Sequence, residues 1–109
     1  MSIMPSIDKK FILDNVFNSN EKMFEEYTTF VETGTYMAET TVMASNVFDI
    51  VHTIEIKKEF CDRARNLHKD KKNIRFHSGD SSILMPFICK KINTKTVFFL
   101  DGHWSAGNT

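Results

Sequence analysis

Glycine, proline and cysteine are all scarce in this chain of 109 residues, which holds four, two and two of them. No linker, low-complexity tract or internal repeat interrupts it, so a single domain is expected. The cysteines, Cys61 and Cys89, lack CxxC spacing and are too few for a disulfide framework or a zinc site, so both read as buried, reduced thiols. An excess of either charge is also missing: Lys plus Arg and Asp plus Glu number 14 each. Nothing therefore drives the chain as a whole toward nucleic acid or a membrane surface. No stretch approaches the roughly 20 apolar residues of a membrane span, and residues 1–20 hold too few apolar side chains for a secretory core. The expectation is a cytoplasmic protein.

What the chain does have is 41 % hydrophobic residues, enough for a modest core, and a regular placement of acids. Glu32, Glu55, Asp80 and Asp101 each stand at or just past the end of a short strand-like run. The runs are Thr29 to Glu32, Val51 to Glu55, Ile74 to His77 and Thr96 to Asp101, at near-equal intervals with helix-like sequence between them. That is the rhythm of βα units building a parallel sheet. In such open sheets ligands bind beyond the carboxyl ends of the strands. Carboxylates there accept hydrogen bonds from sugar hydroxyls, attract cations and repel phosphate, which points to a nucleoside carrying a cation.

Between these runs the periodicity is helical. Phe11, Ile12 and Val16, then Met23, Phe24 and Tyr27, recur at three- and four-residue steps and predict two short amphipathic helices broken at Asn18-Ser19-Asn20. Their expected role is to cover one face of the sheet. A helix is expected from about Tyr36 to Val47 after the Gly34 turn. Another is expected from Lys57 to Lys69, with Phe60, Ala64 and Leu67 facing inward. After Ser78-Gly79-Asp80, Pro86 predicts that the regular helix begins near it, with Phe87, Ile88 and Ile92 inward. The apolar run Thr96 to Leu100 reads as a central strand covered on both faces. The histidines His52, His68 and His77 form no ligand spacing and read as structural.

The first turn, Val31-Glu32-Thr33-Gly34-Thr35-Tyr36-Met37-Ala38-Glu39, lacks the GxGxxG pattern of dinucleotide folds. The missing glycines are those that admit a pyrophosphate against the backbone. Glu32 and Glu39 flank that place, at a cost to a diphosphate on the order of 1 kcal/mol or more each at partly exposed sites. A sulfonium and an ammonium meet no such penalty.

Taken in order, Glu32-Thr-Gly-Thr-Tyr-Met-Ala-Glu-Thr, His52-Thr-Ile-Glu55, His77-Ser-Gly-Asp80-Ser and Phe99-Leu-Asp101-Gly-His resemble the successive ligand-binding motifs of class I S-adenosylmethionine-dependent methyltransferases. The resemblance covers about residues 29–109 and leaves residues 1–28 as a helical lead. It implies a three-layer, Rossmann-like α/β fold with a parallel sheet in the order 3-2-1-4, and S-adenosyl-L-methionine as cofactor. By it, Glu32 and the Gly34 turn with Thr33, Thr35 and Tyr36 hold the methionine part. Glu55, with Ile56 beside it, takes the ribose hydroxyls; Asp80 and Ser81 take the adenine edge; and Asp101 closes the pocket. Ala38 stands where the family usually has a second glycine.

Methyl transfer to oxygen or nitrogen is an in-line displacement at an activated carbon, so an enzyme chiefly positions the acceptor and removes its proton. His103 is the candidate base, since its ordinary pKa lies near working pH; the plainer alternative is a histidine that bonds loop backbone. Asp101 is the second catalytic candidate, and no metal site is expected because no further oxygen ligands accompany it. Trp104 either walls an acceptor pocket or packs. The expected acceptor is a small or sugar-like molecule, and nucleic acid is not indicated. The sheet of this family continues beyond its fourth strand, so the chain is expected to be a fragment or to complete itself by pairing with a second copy through the open edge. Two alternatives stand beside this reading: a nicotinamide-dependent oxidoreductase, which also uses an acid after strand two, and a non-catalytic Rossmann-like interaction module.

Overall fold

A computed structural model describes residues 8–100. Asp8 opens α1 (Lys9–Val16) by accepting the Phe11 N–H, and Asn20 opens the single turn of α2 (Glu21–Phe24) by accepting that of Met23. Each short polar side chain satisfies a donor that the first helical turn leaves without a partner. The chain then alternates through β1 (Tyr27–Thr33), α3 (Glu39–Ser45), β2 (Ile50–Glu55), α4 (Lys58–Leu67), β3 (Ile74–Ser78), α5 (Ser81–Lys90) and β4 (Lys95–Leu100). All four strands are parallel, in the order β3-β2-β1-β4. The fold is Rossmann-like α/β, as the rhythm of the acids predicts. Right-handed crossovers from β1 to β2 to β3 put α3 and α4 on one face, and the return to β4 puts α5 on the other.

The core lies on the first of these faces, where Phe30, Val51, Ile74 and Val97 of the four strands pack against Ile12, Phe17 and Phe24 of the N-terminal helices and Ala44 and Phe48 around the end of α3. Phe30 stacks on Phe48 at 5.2 Å between ring centroids. The two lead helices thus cover the sheet face as expected. In the β1–β2 register Val31 lies opposite His52 and Glu32 opposite Thr53, so the fully buried Val31 belongs to the opposite, α5-covered face.

Several local expectations differ from the structure. α3 starts at Glu39 rather than Tyr36, because the preceding turn stays left-handed through Ala38. α5 starts at Ser81, where Asp80 caps it, and Pro86 sits inside the helix at the cost of one backbone bond. Cys61 rather than Leu67 completes the buried stripe of α4 with Ala64, and Phe87 of α5 is exposed. Finally, among the described residues β4 pairs with β1 alone, so it is the edge that the order 3-2-1-4 implies and not the central strand that its apolar run suggests.

The two edges of the sheet differ. Asn73 and Gly79 make their backbone bonds to β2, so Phe76, at the alternate position, turns its carbonyl outward. Arg65 of α4 donates to that carbonyl at 3.0 Å and caps the β3 edge. On β4, Phe98 and Leu100 are 49 % and 61 % exposed and share a face with the exposed Ile83 and Phe87 of α5. An apolar edge without such a cap is a site for strand pairing. Replacing Phe98 and Leu100 together with lysine is expected to cost about 1 kcal/mol or less per site in urea unfolding, because each is already half in water. Light scattering should show less self-association; a cost of several kcal/mol would mean that these side chains are packed.

Candidate functional site

Glu32, Glu55 and Asp80 end or follow β1, β2 and β3, so all three lie along the carboxyl rim of the sheet, as the sequence predicts. Asp101, His103 and Trp104 fall outside the described residues. The three acids do different work. Glu32 is 1 % exposed and faces α3, because it shares its side of β1 with Phe30, two residues before it. Its Oε2 accepts the hydroxyls of Thr41, from α3, and Thr53, its cross-strand neighbour, the latter at 2.8 Å. Thr53 in turn accepts the hydroxyl of Thr35 at 2.6 Å. A chain of hydroxyls therefore joins the β1–α3 turn to the buried carboxylate.

Glu55, 2 % exposed, is held by backbone instead. Its Oε1 accepts the Tyr36 N–H at 2.9 Å and its Oε2 the Lys57 N–H at 3.0 Å. The main chain beside it is tied as well: Gly34 N–H donates to Ile54 O at 2.7 Å and Gly79 N–H to Glu55 O at 2.9 Å. The turns that leave β1 and β3 are thereby both fastened to the end of β2. Within the first of them, Gly34, Tyr36 and Ala38 have φ of 86°, 48° and 66°. Every second residue is left-handed, a conformation that costs non-glycine residues roughly 1–2 kcal/mol. The position where the resemblance expects glycine, Ala38, thus has the backbone that glycine favours, and it is buried.

Asp80 is exposed and accepts both the hydroxyl and the N–H of Ser82, at 2.8 and 2.9 Å. These bonds, the hydroxyl first, hold its carboxyl below the usual carboxylate range. Ser81 begins α5 beside it. Tyr36, Met37 and Ile56 leave apolar surface open at this rim, Ile56 at 67 % exposure. Nearby, Lys57 and Arg63 both approach the Phe60 ring, at 5.2 and 5.1 Å. A cavity of about 280 Å³ takes in none of these residues: it lies at the other end of the strands, between Lys9, Leu13, Phe24, Tyr27, Val47 and Asp49.

Sequence reasoning missed the threonines that hold Glu32 and the pairing of His52 with His77. The first had a signal: a carboxylate two residues from a core phenylalanine on one strand must be buried, and burial demands donors. The second became visible only with the β2–β3 register. Among the described residues no three His, Cys, Asp or Glu side chains gather as a metal cage. A scan against protein-family models finds no match to the chain, and neither does a search of curated proteins.

Two substitutions test this geometry. Thr53→Val keeps the shape but removes a donor to Glu32 and the acceptor for Thr35, so urea unfolding should show a loss of about 2–3 kcal/mol. Gly34→Ala demands φ near 86° of a residue with a Cβ, and its expected cost is about 1 kcal/mol.

Proposed function

We propose that this domain binds S-adenosyl-L-methionine and serves a methyltransferase acting on an oxygen or nitrogen acceptor. The observation that carries the reading is Glu55, set at the end of β2 with both carboxylate oxygens aimed by backbone N–H groups. Each oxygen has two acceptor directions and the backbone occupies one, which leaves one apiece for a pair of vicinal ribose hydroxyls. The left-handed turn from Gly34 to Ala38 supports the same reading, since it keeps the main chain close to the rim where the methionine part would lie. Asp80 and Ser81 edge the adenine side, and Ile56 offers the base an apolar contact. Thr33, Thr35 and Tyr36 belong to the turn around the methionine part, and Asp101 to the acceptor side.

The donor set fits the group. When bound, the cofactor supplies a methyl carbon already activated by its sulfonium. Glu32 serves the ligand through the turn it anchors, by way of Thr53 and Thr35. Because Glu55 is so deeply covered, ligand entry requires the turn at residues 34–38 to shift, and the strain of Tyr36 and Ala38 lowers the cost of that shift. Asp101 and His103 are the candidates for orienting the acceptor and taking its proton. The acceptor is a small or sugar-like molecule. The two free thiols fit the cytoplasmic location that goes with this reading.

Calorimetry on folded protein should show saturable binding of S-adenosylhomocysteine below millimolar ligand. Glu55→Ala should weaken it at least about tenfold, the loss of one charge-assisted hydrogen bond or more. Tighter binding of NAD would favour the oxidoreductase instead. A second reading, a non-catalytic module that pairs with another copy through β4, draws on the exposed Phe98 and Leu100. A stable dimer that binds cofactor and methylates no acceptor would support it.

A further inference from the structure

His52 of β2 and His77 of β3 are diagonal neighbours on one face of the sheet, since His52 lies opposite Arg75 and Ile54 opposite His77. Their rings stack at 5.3 Å between centroids with 22° between planes, and Nδ1 of His52 lies 3.0 Å from Nε2 of His77. One neutral ring donates and the other accepts. We propose that this pair is an acid-sensitive latch that holds β3, and the Gly79–Asp80 turn it leads into, on the rest of the sheet.

The surroundings make the latch selective for the neutral state. The charges that reach the pair are Arg75 on β3, Arg65 from α4 and Lys91 at the end of α5, all positive. The β1 residues sharing that face, Val31 and Thr33, carry no charge. A first proton therefore places a charge in a half-buried site ringed by cations, and a second leaves two donors facing each other. Desolvation, then His77 and Arg75, push His52 down to about 4; desolvation, then Arg65, Lys91 and Arg75, push His77 down as well. An unfolded or detached strand takes up its proton near pH 6.5. Acid thus favours detachment: the latch is fully closed above about pH 6.5 and weakens as pH falls from there toward 4. β3 is the element that yields, because it carries one of the two histidines and, among the described residues, pairs with β2 alone.

Amide hydrogen exchange of the ligand-free protein at pH 7.5 and pH 5, corrected for intrinsic rates, tests this. Opening of β3 relative to β1 is expected to increase about tenfold or more at the lower pH. In the double variant His52→Phe/His77→Phe, where the rings stay and the titration goes, that increase should vanish. Equal β3 protection at both pH values in the parent, or an unchanged response in the variant, would overturn the proposal. Should the double variant not fold, the ring-proton NMR titration of the parent decides: values near 6.5 for both histidines refute the latch, and depressed values support it. Loss of S-adenosylhomocysteine affinity at pH 5 is a further consequence that rests on the cofactor reading. Binding at pH 7.5 tests that reading separately.

Discussion

Glu55 is the knot on which the carboxyl rim depends. Its carboxylate accepts the N–H groups of Tyr36 and Lys57, and its own carbonyl accepts that of Gly79. Three consecutive strand ends are thereby held in one arrangement. The left-handed Tyr36 and Ala38 persist because the main chain around them is fastened from several sides: Gly34 to β2, Tyr36 to Glu55 and Ala38 N–H to Thr35 O. A carboxylate buried this deeply needs such donors, and the turn needs such an acceptor, so each makes the other tolerable.

The rim acids show how position and role separate. Glu32 and Glu55 are equally buried, yet one is held by hydroxyls on the core side and the other by backbone at the strand end. Asp80 is spent on capping α5. The carboxylates of this rim that the structure describes are thus engaged in holding the fold, and a ligand must share acceptors already in use. Affinity at such a site is set by how readily the turn at residues 34–38 yields as much as by the new bonds.

Much of this was legible in the sequence. A parallel strand ends where its loop begins, so the spacing of Glu32, Glu55 and Asp80 located three strand ends and, with the helical gaps, the βα alternation. The break between the lead helices at Asn18-Ser19-Asn20 was legible too, because turn chemistry is local. What was not legible depends on contacts across the fold. Tyr36 and Ala38 are not turn formers, so nothing in their identity announced a left-handed turn that delays α3 to Glu39. Pro86 lies mid-helix because α5 starts at Ser81, where Asp80 caps it, ahead of the proline. His52 and His77 meet only through the β2–β3 register, and β4 reads as buried from composition although it has a neighbour on one side alone.

The guanidinium of Arg65 over the Phe76 carbonyl has a geometric corollary. Among the described residues, a strand arriving from outside meets a guanidinium already seated on the β3 margin and none on the β4 margin, so the two flanks of the sheet are unequal hosts for it.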